Sequence, residues 1–320
     1  MIKLNPYSSE FEEAYWEVVN EKVIDDVQKK ILSSCVKFLP NDFFASNNPE
    51  FKEIVLAPFH KLKAAQKYIE DNYQNGIKNM ESECFDFNPA NTNPGNINNL
   101  YKEVYDAFVK VADAQRDKTS MRVRIVKEAD ITVCPYCNRD YINCRDGDVA
   151  GAQLDHFFSR TKYPIFAVSL YNFVPACANC NRIKNDSTEK FASPFDEDID
   201  WDNDIYFEFH PKESDDFEIK IKAKLRKAET TAIQNNITKM RIEEAYQIHS
   251  LELKELQEKE LAYSKSQKEE FKEILKKKRI SNKKIKRIVF GPKITSEDMR
   301  KKPLGKMISD WHKKSRIYPK

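Results

Sequence analysis

Two Cys-x-x-Cys pairs, Cys134/Cys137 and Cys177/Cys180, limit what this chain can fold into more than any other feature. The tight turn within such a pair aims both sulfurs the same way, and two turns complete the tetrahedron that zinc prefers. The segments carrying them are thereby cross-linked across the loop that holds Asp155 and His156. Structural zinc sites in peptides supply about 10–16 kcal/mol of apparent binding energy, which becomes folding energy for a module too small to build its own core. A redox Cys-x-x-Cys is the alternative, disfavoured by the presence of two matched pairs. Cys35, Cys84 and Cys144 read as free thiols. Seven cysteines, an odd number, fit a reducing compartment better than a disulfide framework.

The chain has 320 residues, enough for two or three compact units, and its hydrophobic fraction of 40% can build ordinary cores. Only six glycines favour helix over tightly turned β architecture. No apolar run is long enough to span a bilayer and the first residues lack a signal-peptide profile, so a soluble, cytoplasmic protein without membrane contact is expected. The net charge of +3 conceals an asymmetry: residues 1–270 are acidic throughout, whereas residues 271–320 carry +14. A segment that basic favours contact with a polyphosphate, with an attraction that falls steeply with salt.

Three regions are expected. Residues 1–130 read as a helical packing or docking domain. A capping box at Ser9-x-x-Glu12 opens the first helix, with Phe11, Ala14, Tyr15 and Val18 on one face. A second helix begins at Asn48-Pro49 and is bent or split by Pro58. A loop rich in Asn, Pro and Gly follows between residues 87 and 99, then a longer helix over 97–127. Residues 131–195 hold the cysteine motifs, with a knuckle at Cys134–Cys137, a strand at Leu154–Phe158 and a helical turn from Ala178. Residues 196–320 read as a β-hairpin (Ile205–Phe209 and Phe217–Ile221), a long helix over 228–278 and a basic helix from Thr295 that contains Trp311. The acidic run from Asp196 to Asp202 reads as an exposed loop, and Trp311 as facing a core.

Within the zinc loop, Cys134-x-x-Cys137, Leu154-Asp155-His156-Phe157, Asn172-Phe173-Val174-Pro175 and Cys177-x-x-Cys180-Asn181-x-x-Lys184 resemble the HNH (ββα-metal, treble-clef) endonuclease family. The resemblance covers about Val133 to Asp186. It implies an α+β, mostly helical fold with a small zinc-stapled HNH module between an N-terminal helical domain and a C-terminal hairpin with long basic helices. It assigns the general base to His156, a catalytic Mg²⁺ or Mn²⁺ to Asp155 and Asn181, and the ordering of the loop behind the histidine to Asn172. Asn181 stands where the family often has histidine, which makes this an HNN variant.

The chemistry of these residue types agrees with that assignment. A neutral imidazole accepts a water proton near pH 7, and carboxylate and amide oxygens suit a hard cation. Lys184, with Arg182 and Arg160, is placed to hold a flanking phosphate. The implied activity is a metal-dependent endonuclease that cuts DNA to 5′-phosphate and 3′-hydroxyl ends; sequence does not separate DNA from RNA. Tyr163-Pro164 and the Phe290-Gly291 and Lys302-Pro303-Leu304 stretches are similar to HNH proteins of Septu-type and retron-linked anti-phage systems, which implies an ATPase partner. A stand-alone restriction or homing-type nuclease and a non-catalytic, zinc-stapled nucleic-acid-binding module remain open at this point, as does oligomeric state.

Overall fold

Ser8, Ser120, Cys177, Ser281 and Thr295 each stand in extended backbone and accept a hydrogen bond from an amide three residues on, so each opens a helix. The computed structural model describes residues 1–25, 35–45, 49–72, 103–110, 120–145, 149–160, 162–185, 189–213, 216–224, 227–263 and 281–318, with a few single positions between. Its elements, in order, are α1 (Ser9–Val18), α2 (Phe51–Val55), α3 (Phe59–Asn72), α4 (103–110), α5 (Met121–Glu128), β1 (Gln153–His156), β2 (Phe173–Ala176), α6 (Ala178–Lys184), β3 (Ile205–Pro211), β4 (Phe217–Ala223), α7 (Lys227–Lys239), α8 (Ile242–Tyr246), α9 (Ser250–Ala262), α10 (Asn282–Phe290), α11 (Ser296–Lys301) and α12 (Gly305–Lys314). The architecture is α+β, with two small antiparallel sheets, β1–β2 and β3–β4.

Several helix boundaries differ from the sequence expectation, each for a local reason. Ser8 rather than Ser9 caps α1. Glu50 caps α2 through a box with Glu53, while Asn48 and the loop at 87–99 lie outside the described residues. Pro58 does separate α2 from α3. The single helix expected over 97–127 is broken at Ser120, whose ψ of 151° is extended. The long helix over 228–278 turns at Arg241, held left-handed at φ 51°, and that turn lets Ile237, Met240, Ile242 and Tyr246 all bury. Leu253 and Leu256 are buried, Leu251 and Leu261 are exposed, and Phe271 falls outside the described residues.

The basic C-terminal helix is likewise two helices. Pro303 disfavours helical backbone at the residue before it, and Leu304 then adopts φ 58° and donates its N–H to the Asn138 carbonyl at 2.7 Å. This contact draws the C-terminal segment onto the cysteine knuckle. Trp311 faces inward, with its ring 5.2 Å from Phe209 and 5.6 Å from Phe217. The acidic loop is only partly exposed: Asp196 is buried and paired with Lys63 at 2.8 Å, and Trp201 is buried beside it.

One buried apolar cluster runs from Met1 to Ile317 through all three stretches of chain. Near β1 it is built by α3 and α4. Phe59 at the head of α3 meets Phe157 edge-on at 5.2 Å, and Phe108 of α4 stacks on Phe173 of β2 at 5.3 Å. Farther along α3, Glu70 accepts from Tyr163 at 2.6 Å and Lys162 at 3.1 Å. These contacts fix the backbone on both sides of His156. Among the described residues no helix is long and apolar enough to cross a membrane.

Candidate functional site

The Sγ atoms of Cys134, Cys137, Cys177 and Cys180 all lie within 4.8 Å of one another, and all four residues are buried. Each pair is shaped by its own turn. Around the first, the Cys134 N–H donates to Asp140 at 2.9 Å, the Asn138 N–H donates to Cys134 at 2.7 Å, and Asn138 itself is left-handed at φ 53°. The flanking residues Val133 and Tyr141 pair as a bridge, which makes the knuckle the head of a hairpin. Around the second, Cys177 caps α6 and accepts the Cys180 N–H at 3.4 Å.

Burial pushes the Cys134 thiol up, while hydrogen bonds from its three neighbours pull the Cys137 thiol down. Crowded thiols of this kind cannot all ionise unless a cation compensates them. Four converging soft donors in a closed pocket therefore fit a metal ion such as zinc, and no water-sized opening is needed for a structural role.

The strand beside this cluster carries Asp155 and His156 on opposite faces. His156 pairs with Phe173 across the sheet, and its half-buried ring donates from Nε2 to the Ala167 carbonyl at 2.9 Å. A carbonyl can only accept, so Nε2 holds the proton and Nδ1 presents its lone pair; among the described residues Nδ1 has no hydrogen-bond partner. Burial lowers the imidazole pKa to about 4, so the ring is neutral at neutral pH. Asn172 is fully buried and makes three bonds to the segment behind His156. Its Oδ1 accepts from the Phe158 N–H at 2.8 Å, and its Nδ2 donates to the Phe158 and Phe166 carbonyls at 3.1 and 3.0 Å.

Asp155 faces α6 and is only 3% exposed. Tyr136 donates to its Oδ2 at 2.6 Å, and Lys184 Nζ lies 3.1 Å from both carboxylate oxygens. The same ammonium donates to the His156 carbonyl at 3.0 Å and the Phe157 carbonyl at 3.1 Å. Lys184 is therefore not a phosphate ligand as folded, because its N–H groups all point into the protein. Two residues back along β1, Gln153 accepts from Asn181 Nδ2 at 2.8 Å. Strand and helix thus meet in two rungs, Gln153–Asn181 and Asp155–Lys184.

That arrangement does not fit a catalytic Mg²⁺ or Mn²⁺ between Asp155 and Asn181: the carboxylate is sequestered and the amide is turned to Gln153. Arg182 is exposed, whereas Arg160 lies with its guanidinium 4.5 Å from the centre of the Tyr105 ring. Tyr105, on α4, meets His156 edge-on at 4.8 Å.

Tyr136, Gln153 and Tyr105 were not among the residues singled out by sequence. Tyr136 sits between two cysteines, and Gln153 shares a strand face with Asp155, so both carried a local signal. Tyr105 carried none, since nothing in the motif points to a helix so far upstream. No protein-family model, curated protein or solved structure matches the chain.

Proposed function

We propose that this chain is an HNH-like endonuclease that hydrolyses phosphodiester bonds of DNA, with zinc as its scaffold and His156 as its general base. The observation that carries the proposal is the His156 ring: neutral, fixed through Nε2 to Ala167, with no partner at Nδ1 among the described residues. Such a nitrogen takes a proton from an attacking water, and general-base assistance contributes about 10²–10⁴ in rate. Asn172 holds the loop behind the ring, so the imidazole presents one edge. Arg160, two side chains away across Tyr105, supplies positive charge for the phosphate. The exposed cations of α10, Lys283, Lys284 and Arg287, would track the nucleic-acid backbone.

Cleavage of supercoiled plasmid in Mg²⁺ or Mn²⁺ by the purified wild type and by His156→Ala tests the proposal. The variant is expected to lose about 10²–10⁴ in rate; equal cutting by both proteins would remove His156 from the chemistry. A role as the effector nuclease of an anti-phage system, working with an ATPase, extends the same proposal through the likeness of Tyr163-Pro164 and the C-terminal stretches to such proteins. Co-purification with an ATPase encoded beside it is the expected result, and a solitary, constitutively active enzyme the contrary one. One observation favours a second reading, a zinc-stapled nucleic-acid-binding module: an ammonium stands at Asp155 where a hard cation would be held. That module would bind DNA in a salt-dependent way and leave plasmid uncut.

A further inference from the structure

The Lys184 ammonium occupies a cage that reads, atom by atom, as a cation site. It is bounded by both oxygens of the Asp155 carboxylate at 3.1 Å and by the carbonyls of His156 and Phe157 at 3.0 and 3.1 Å. The rings of Phe157 and Phe191 close the apolar side, 5.4 and 5.8 Å from Nζ. Carboxylate and carbonyl oxygens are the donors a hard divalent ion selects. Here they surround a monovalent charge supplied by the chain, with lysine and aspartate each about 3% exposed. A free cation and this ammonium cannot share the cage, since two positive charges a few ångströms apart repel strongly in so dry a setting.

We infer that Lys184 is a resident cation of this site: it keeps the Asp155 carboxylate closed, and a divalent ion reaches Asp155 only by expelling the ammonium. The position of Lys184 makes such an exchange mechanically simple. It is the last residue of α6, followed by Asn185 with its backbone at φ 36°, so the side chain can leave without unwinding the helix that carries Cys180 and Asn181. The ammonium also bonds the His156 carbonyl, so its departure would remove one tie on the proposed base, whose strand stays paired with Phe173. Lys184 is in this sense a positioning residue for His156. The inference rests on the nuclease reading for its meaning, though not for its test.

The test is Mn²⁺ binding, followed by electron paramagnetic resonance of the free ion, on the zinc-loaded full chain. Lys184→Met is expected to bind Mn²⁺ at least about tenfold more tightly than the wild type, the direction that removing a nearby like charge dictates. The double variant Asp155→Asn, Lys184→Met leaves no buried charge unpaired, so it should fold even if the single variant does not, and it should bind no Mn²⁺ there. Acylation of lysines in the wild type, mapped by mass spectrometry, needs no variant at all. Lys184 is expected to be protected without metal and labelled at saturating Mn²⁺.

Equal Mn²⁺ affinity in wild type and Lys184→Met would overturn the inference. So would Mn²⁺ binding that Asp155→Asn abolishes while Lys184 stays protected, or the absence of binding in every variant. Loss of plasmid cleavage with these binding differences intact would instead count against the nuclease proposal alone.

Discussion

At His156 two neighbours do different work: Ala167 selects the tautomer, and Asn172 fixes the segment the ring stands on. Asn172→Ala strands the part-buried N–H and carbonyl of Phe158 and takes one of two donors from the Phe166 carbonyl, which keeps the Ser169 N–H. Each unsatisfied group costs about 1–3 kcal/mol, so chemical denaturation should show a loss of several kcal/mol, with cleavage falling alongside. The buried His312 gives a pH prediction. Burial lowers its pKa to about 4, against about 6.5 in an unfolded chain. The unfolded state therefore binds more protons between those values. The stabilisation is complete above pH 6.5 and is lost as pH falls towards 4, at up to about 1.4 kcal/mol per pH unit. Replacing His312 with Leu should flatten the melting temperature between pH 7 and 5; an unchanged slope would contradict the assignment.

The four cysteines were legible in sequence because the spacing within each pair encodes its turn; His156 and Asn172 were singled out only through the HNH resemblance. Lys184 was misread from its charge. Cys177, Cys180 and Lys184 stand at i, i+3 and i+7, one helical face, so a helix turned inward by its cysteines takes the lysine with it.

At the scale of elements, the basic character of residues 271–320 divides by exposure. Lys306 is buried against Asp310, and Lys286, Lys313 and Lys314 donate to backbone carbonyls. Among the described residues Lys293, Lys302, Lys313, Lys314 and Arg316 are exposed as well, and α10 carries three exposed cations on one helix, Lys283, Lys284 and Arg287. Replacing those three with Gln should reduce the slope of log K against log salt by up to about 2.7, since each phosphate contact contributes about 0.9. A slope that does not change would take α10 out of the interface. Deleting the whole segment would be uninformative, because Trp311 and Leu304 pack into the body of the protein. Sequence periodicity found the β3–β4 hairpin and most helices but ran helices together, and it gave no strand at β2, whose four residues are all buried and so do not alternate. The breaks at Ser120, Arg241 and Leu304 are set by what the flanking residues bury or cap, which local pattern does not contain.

For the whole molecule, the four cysteines act as a junction rather than as an isolated staple. Ile2 donates to Pro135, Tyr246 to Cys137, and the Asn138 side chain to Met299, so the start, middle and end of the chain all meet the knuckle. Removing metal with a chelator should therefore cost cooperativity across the fold, and Cys177→Ser should release zinc and melt early; a variant that stays folded and zinc-loaded would contradict the junction.

The central claim is that this scaffold and the proposed base, His156, are separate. It is tested most directly by measuring zinc content, melting temperature and plasmid cleavage on one preparation of His156→Ala. The account predicts about one zinc per chain and an unchanged melt, with cleavage reduced by about 10²–10⁴. Zinc lost together with activity, or cleavage undiminished, would contradict it.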